Sequence, residues 1–574
     1  MMEESTLTRR GFLGGAAVAS AVAAFGLAGC APSVASDDSK KGAEAKQAGS
    51  GEAADWLGEA PEIDESKVVE SVDCEVLVIG AGTAGWFAAA SAAENGAKVL
   101  LIEKGASGDN VRSSALGAIG TKLQKEQGIE IDKQAILNDF ARYAQSHIDL
   151  HLFRNWVENS GEAIDWYTDL LAANGMEVQL EWAIPPDTFY THWPIAHGTN
   201  GLDYAEREGQ AAGIIEEYIK SFDGCDVRFS CPMVRLITDE SNKVVGAYAS
   251  PDDDQFVRIN ASKGVVVATG GYAQNREMYE ALQPERLSAL GAFDAFPSCT
   301  GDGIKALLWV GAQMEETHTS MTWNRCIVGN DTEVGNPYET MADYGYFFMG
   351  SQPFLYVKHD GTRFMNESTP FDFAPAAASK FPKGQRFWHE IWDADWKADV
   401  DRFHTYGCAT LTYREGADHD AYPGMLDDWI GPEMEEFVEM GLIQKADTLE
   451  ELAEKLEITD VDAFLATCER YNELYDKGVD EDYGKESYRL SQLRKAPFYG
   501  AKNCGITLCT LDGIRVNDDL HPYDAEGNAI EGVYVVGNDQ GGFYSYMYPN
   551  TLVGVNAGRS ATMGRMVGKT LAAM

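Results

Sequence analysis

Short apolar runs that end on glycines recur along the chain, and the first of them sets the frame. Asp73-Cys74-Glu75-Val76-Leu77-Val78-Ile79 closes in an unbroken apolar run, the pattern of a strand buried on both faces. Gly80-Ala81-Gly82-Thr83-Ala84-Gly85 follows at once, and the Ala-rich stretch from Trp86 to Asn95 has helical character. Ala97-Lys98-Val99-Leu100-Leu101-Ile102 is a second strand, ending at Glu103. The strand-into-glycine pattern returns at Lys263–Tyr272 and again at Val533–Asp539. Strand, glycine turn, helix and strand in this order predict an α/β fold of Rossmann type. Residues 31–71 mix Ala, Ser, Gly, Asp, Glu and Lys without sustained periodicity, and predict a flexible tether. The uncharged stretch Gln540–Gly558 is too rich in Gly, Asn and Pro to span a membrane, and no internal repeat is visible.

The N-terminus reads as an address. Thr8-Arg9-Arg10-Gly11-Phe12-Leu13 precedes an uncharged stretch from Gly11 to Gly29. A basic pair, a modest apolar run and a small-residue end make residues 1–30 a signal peptide, and the twin arginine suggests the Tat route. A plain membrane anchor is the alternative. Leu27-Ala28-Gly29-Cys30 resembles the lipobox of bacterial lipoproteins. The expectation is an exported protein on the extracytoplasmic face of the cell membrane, held there by lipid on Cys30 or released after cleavage.

A length of 574 residues holds two or three cores. The formal charge of −44 excludes nucleic acid and anionic lipid as partners, and suits either simple solubility or a basic electron-transfer partner. The ten cysteines include no CxxC and no CxxCH, so zinc knuckle, redox dithiol and c-type haem are not signalled and no metal site is expected. Cys504 and Cys509, the closest pair, are expected as buried thiols.

The glycine turn is a GxGxxG in its required context, with an acid about 20 residues further on. Gly80 permits the tight turn, Gly82 lets the backbone approach a pyrophosphate, and Gly85 lets helix and strand pack closely. The helix N-terminus offers N–H groups and partial positive charge to the phosphates. Glu103 can accept from adenosine ribose hydroxyls. This pattern alone does not separate FAD from NAD. The later set does so in combination: Lys263–Tyr272, then Thr300-Gly301-Asp302-Gly303, then Gly537-Asn538-Asp539.

Taken together these motifs resemble the FAD-binding family that holds fumarate reductase and succinate dehydrogenase flavoproteins, urocanate reductase and 3-ketosteroid dehydrogenases. The resemblance covers roughly residues 72 to 574. It implies a Rossmann-like FAD-binding domain from 72–318 and 500–574 with an inserted α+β cap domain at 319–499, and an active site between them. It implies FAD contacts from Gly80, Gly82, Thr83, Ala84, Gly85, Glu103 and Lys104. It further implies contacts from Asn110, Val111, Ser114, Gly117 and Ala118, from Val234, and from Ala268, Thr269 and Gly270. Asp302, Asn538, Asn556 and Ala557 complete the set. No histidine lies in 104–122, so a covalent flavin link there is not expected.

The chain departs from the fumarate reductase pattern in its basic residues. In a gapless placement the proton-donor arginine falls on Phe371, the relay positions on Phe347 and Gly350, and a carboxylate-binding arginine on Thr551. The family's histidine falls near Leu508 or Cys509. A dicarboxylate beside Phe371 and Thr551 would leave charge unpaired in a dry cleft, at a cost of several kcal/mol. The expectation is therefore a substrate other than fumarate, with more apolar or aromatic area. Placed against the ketosteroid dehydrogenases, Tyr548 falls on their C-terminal catalytic tyrosine, with Tyr546 as second candidate proton donor. His318 and Arg325 are further candidate catalytic residues, and Tyr190-Thr191-His192-Trp193 a candidate pocket wall.

The reading is an FAD-dependent oxidoreductase that reduces a C=C bond conjugated to a carbonyl or carboxylate of a small organic substrate. Electrons would come from a separate donor, a cytochrome or a second flavoprotein. The alternatives are a ketosteroid-dehydrogenase-like oxidation and an exported electron-transfer flavoprotein without its own substrate.

Overall fold

The computed structural model describes residues 54–108, 111–181, 190–199, 204–252, 255–293, 298–338, 344–413 and 421–574. The signal peptide, Cys30, most of the expected tether and Asn110 lie outside the described residues.

Three sheets organise the described residues. The first contains β1 (Val68–Ile79), β2 (Val99–Ile102), β6 (Asp226–Arg228), β7 (Met233–Thr238), β8 (Val244–Asp252), β9 (Gln255–Val267) and β17 (Val533–Val535). Its order is β6-β2-β1-β9-β8-β7, with β17 pairing parallel to the end of β9. The strands β6, β2, β1, β9 and β17 run parallel, while β7 and β8 are antiparallel. Val76–Ile79 and Val99–Ile102 are buried throughout, as their unbroken apolar runs require in a sheet covered on both faces. Strand β1 begins at Val68, inside the stretch expected as tether, because its polar first half pairs with β9 from Val68↔Phe256 onward. Arg228 holds Glu70 and Tyr248 holds Glu65, so the ordered chain starts earlier than the missing periodicity suggested.

The fingerprint helix Thr83–Glu94 is buried nearly all round. The C-terminal helix Val555–Ala573 lies against it so closely that a side chain at Gly564 would strike Ala84 O, and one at Gly568 would strike Ala88 O. Arg565 ties the pair to Glu94 at 2.8 Å and to Glu162 at 2.8 Å.

The second sheet contains β10 (Leu290–Phe293), β11 (Ser320–Val328), β12 (Gly345–Tyr346), β13 (Leu355–Val357), β14 (Trp388–Trp392), β15 (Ile443–Ala446) and β16 (Phe498–Thr510). Its order is β12-β11-β16-β14-β13, and β10 and β15 also pair with β16. The boundaries expected at 318/319 and 499/500 do not coincide with a break in this sheet. Both β10 and most of β16 belong to it, since β16 is the strand on which β10, β11, β14 and β15 all register. The third sheet is small: β3 (Leu116–Gly117), β4 (Val178–Leu180) and β5 (Ala196–Thr199), in the order β3-β5-β4. It presses β3 against the start of the C-terminal helix, where Gly117 N–H donates to Gly554 O at 2.8 Å. Among the described residues no helix is long and apolar enough to cross a membrane.

Candidate active site

One cavity runs from the glycine turn to the aromatic residues of the second sheet. Its first wall is the turn after β1. Gly80 has φ +103°, and Gly85 leaves no room for a Cβ against Gly80 O. Gly82 is different: a Cβ there would meet no protein atom within 4 Å, and Gly82 lines the cavity. The helix that follows has no side-chain cap, and its N-terminus, the end that favours an anion, opens on this space. Glu103 secures the turn from below. One carboxylate oxygen accepts from Ala81 N–H and the other from Gly105 N–H, both at 2.7 Å, while the residue still lines the cavity. Lys104 pairs with Asp302 at 2.7 Å and donates to Thr300 Oγ1 at 2.6 Å on the same wall.

Ala268, Thr269 and Gly270 form the wall at the end of β9. They are clamped by Asp539, fully buried, which accepts from the N–H groups of Thr269, Gly270 (3.1 Å) and Gly271 (3.1 Å) and from Thr269 Oγ1 (3.0 Å). The C-terminal helix supplies a second uncapped N-terminus: Gly554, at φ +77°, is its cap, and Gly554, Asn556 and Ala557 line the cavity with Asn538.

Several expected contacts sit elsewhere. Val111 and Ser114 are buried, and Gly117 and Ala118 pack away from the cavity; Arg112 and Ala115 face it instead. The reason is local: Ala115 takes φ +50°, and Gly117 is pressed against Gly554 with no space for a ligand between them. Val234 is not on the wall; its neighbours Met233 and Cys231 are. Gly85 serves packing only.

The far end of the cavity is lined by Met321, Trp323, Phe371, Tyr406, Leu508, Cys509 and Tyr548. Tyr548 is 4% exposed. Its hydroxyl oxygen accepts from Asn556 N–H at 3.4 Å, its own N–H donates to Asp372 Oδ2 at 3.0 Å, and its carbonyl accepts from Tyr143 at 2.9 Å. Burial raises the phenol pKa, so the hydroxyl holds its proton. Tyr546 is not brought to the cavity. Its side chain is 45% exposed, lies against His147, and contributes only a carbonyl that accepts from Thr319 and Arg286. His318 also stands apart: Nδ1 lies 2.8 Å from Asp512 Oδ2, to which Tyr272 also donates at 2.7 Å, in a buried brace.

Arg325 stands behind the aromatic wall. Its guanidinium stacks over Trp323 at 4.3 Å and over Phe371 at 5.6 Å, donates to Ser351 Oγ at 2.7 Å and holds Cys408 O. It stiffens the wall and does not face the cavity. Of the positions where the fumarate reductase pattern would put basic groups, Phe371, Leu508 and Cys509 line the cavity. Phe347 is buried in the core below the second sheet and Gly350 packs on Asn324. Thr551 is buried, its carbonyl taken by Trp193 N–H at 3.2 Å. His192 packs on the cavity residue Tyr406 with ring centroids 3.5 Å apart, which puts the Tyr190–Trp193 segment behind that wall.

Sequence reasoning missed Arg112, Asp372, Asp539 and Arg559. Asp539 had a signal, an acid two residues after a strand-terminal glycine; Arg112 and Asp372 depend on chain segments far away in sequence, and the partners of Arg559 lie within 21 residues but in a stretch without periodicity.

One helix N-terminus and an acid meet at the first end of this cavity and a second helix N-terminus faces the aromatic chamber at the other, an arrangement that suits a dinucleotide-dependent oxidoreductase. Residues 75–551 match the family described as FAD binding domain, and the chain belongs to it. The chain is 26% identical to vinyl phenol reductase of Lactiplantibacillus plantarum, over 86% of this chain and 95% of that one. It is 25% identical to digoxin reductase of Eggerthella lenta, over 97% of each. Its fold superposes on a 3-ketosteroid delta1-dehydrogenase of Sterolibacterium denitrificans with a TM-score of 0.64 at 17% identity, covering 87% of this chain and 99% of that one. The cofactor is FAD, and the walls fit it: the open space at Gly82 for a pyrophosphate, Glu103 at the nucleotide end and Asn538 and Asn556 toward the aromatic end.

Proposed function

We propose that this FAD-dependent oxidoreductase reduces a C=C bond conjugated to a carbonyl or carboxylate in a substrate with a substantial aromatic or apolar body, and that fumarate is not that substrate. The observation that carries the proposal is the chemistry of the far wall. Where a dicarboxylate would need arginine and histidine, the cavity offers Phe371, Leu508 and Cys509, next to Trp323 and Met321. Relatives named for the reduction of vinyl phenol and of digoxin, both bulkier than fumarate, support the same reading.

Bound FAD supplies the hydride. The chain does the rest. Trp323, Phe371 and Tyr406 exclude water and hold a flat apolar body. Tyr548 gives a proton to the carbon beside the one reduced; burial opposes formation of the phenolate, and the Asn556 N–H donated to its oxygen works against that penalty. Electrons come from a separate donor, a cytochrome or second flavoprotein. Export by the twin-arginine segment, lipid on Cys30 and a cap over 319–499 belong to the same proposal.

The test is anaerobic. The FAD-loaded protein is reduced with dithionite and mixed in turn with cinnamates, other enoates, enones, steroids and fumarate. Return of the oxidised flavin spectrum with an aromatic or polycyclic compound, and not with fumarate, is the expected result. Reoxidation by fumarate first, or by none of the panel, overturns it. Bleaching of oxidised flavin by a saturated ketone would mark the reverse, dehydrogenase-like direction.

A further inference from the structure

The C-terminal helix carries a fully buried arginine without a counter-ion. Arg559 lies on the second turn from the cavity, and among the described residues no carboxylate oxygen stands within 4 Å of it. Its Nε has no hydrogen-bond partner. Nη1 donates to Gln540 O at 3.3 Å, and Nη2 donates to both Asn538 Oδ1 and Asn556 Oδ1 at 3.1 Å. The rings of Phe543 and Tyr544 cover it at 5.2 and 5.1 Å. The nearby acid Glu315 is half-buried and turns its two carboxylate oxygens to Gly513 and Gly542 N–H rather than to Arg559.

A guanidinium has donors only, and an amide has one end of each kind. A side-chain oxygen facing Arg559 therefore fixes which way each asparagine is turned. The Asn556 oxygen takes a second donor, Tyr544 Oη, at 3.2 Å, and its NH2 group points to Cys509 Sγ at 3.4 Å on the cavity wall. Asn538 likewise presents its NH2 group away from Arg559, and Asn538 lines the cavity. A positive charge in such a dry setting acts over several ångströms with little screening.

We propose that Arg559 is a positioning residue that orients Asn538 and Asn556 as donors toward bound FAD and whose buried charge makes the flavin easier to reduce. It favours the form of the cofactor that carries added negative charge. The proposal rests on FAD binding and not on which compound is reduced, so its outcome is separate from that of the substrate panel.

The test uses FAD-loaded wild type, Arg559→Met and Arg559→Lys, without substrate. The reduction midpoint is read against a reference dye, and sulfite affinity for the oxidised flavin is read by titration. Arg559→Met is expected to shift the reduction equilibrium about a hundredfold toward oxidised flavin, about 60 mV for a two-electron couple, and to weaken sulfite binding in parallel. Arg559→Lys, which keeps the charge, is expected to shift less. A shift under tenfold in Arg559→Met, or an equal shift in Arg559→Lys, overturns the proposal. Should Arg559→Met fail to load FAD, Asn538→Asp decides: the new carboxylate would pair with Arg559 and cancel its charge, so the midpoint must fall by the same tenfold or more, and an unmoved midpoint overturns the proposal.

Discussion

Asp372 gives a prediction whose sign and size both follow from its surroundings. It is fully buried next to the cavity wall residue Phe371, accepts from Tyr548 N–H at 3.0 Å and from Asn550 Nδ2 at 3.4 Å, and so holds the segment that carries the candidate proton donor. Burial raises its carboxyl to about 6 from an ordinary 3.8, against the opposing pull of Arg286 and of these donors. An acid raised on folding contributes stability that is complete below its unfolded pKa and lost as pH rises through the folded one. The window is thus about pH 4 to 7. Two pKa units correspond to about 3 kcal/mol. Asp372→Asn removes the titration and keeps the shape: its oxygen can still accept from Tyr548 N–H, and Asn550 can turn its amide to suit. The stability of wild type relative to Asp372→Asn should therefore fall by about 2–3 kcal/mol between pH 4 and pH 7.5. An unfolding entropy near 2 cal/mol/K per residue makes about 1 kcal/mol/K for a chain of this size, so the melting gap should move by about 2–3 °C. Thermal unfolding followed by release of FAD fluorescence, with both proteins side by side across pH, reads this directly. Parallel curves for the two proteins would refute the reasoning and mean that Asp372 is ionised throughout.

Gly82→Ala should leave apoprotein melting within about 1 °C of wild type, since the added Cβ meets no protein atom within 4 Å, yet lower the flavin-to-protein absorbance ratio; full flavin loading would show the pyrophosphate is not there. Asp539→Asn turns an NH2 donor against N–H groups that have no other partner among the described residues, at about 1–3 kcal/mol for each one left unsatisfied, and should lower both melting temperature and FAD content; an unchanged melt would sink the clamp. Tyr548→Phe should keep its flavin and lose about 10²–10⁴ in kcat on whichever compound reoxidises the reduced enzyme, and a kcat within threefold of wild type would assign the proton to another donor.

The parts of this molecule that were legible in the sequence are those whose physics is local. Gly80, Gly82 and Gly85 could be given separate roles because strand, turn and helix adjoin within 30 residues, and all three roles fit the geometry. The close contact of Gly564 and Gly568 with Ala84 and Ala88 could not be read, because its two halves lie some 480 residues apart and each looks like an ordinary small-residue helix. The segment from Val111 to Ala118 shows the boundary between the two cases. Its place beside the cavity was legible from the resemblance, but which residues face the cavity depends on β3 being pressed against Gly554, so Arg112 and Ala115 stand where Val111 and Ser114 were expected.

The tyrosines near the C-terminus make the same point about chemistry. Tyr546 and Tyr548 are two residues apart in a stretch with no periodicity, and nothing in that stretch chooses between them. The choice is made from outside, by Arg286 and Thr319 on the carbonyl of Tyr546, and by Asp372 and Tyr143 on the backbone of Tyr548. Four side chains from four distant segments turn one ring into the cavity and leave the other in solvent. The same holds for charge. The missing arginines were legible as absences, and they argued correctly for an apolar far wall. Of the cations that are present, Arg112 lines the cavity itself, while Arg325 behind the aromatic wall and Arg559 behind the two asparagines act through other side chains, so no motif announces those two. A far wall without arginine can thus still lie within reach of positive charge, because a guanidinium buried one layer back is little screened in a low-dielectric interior.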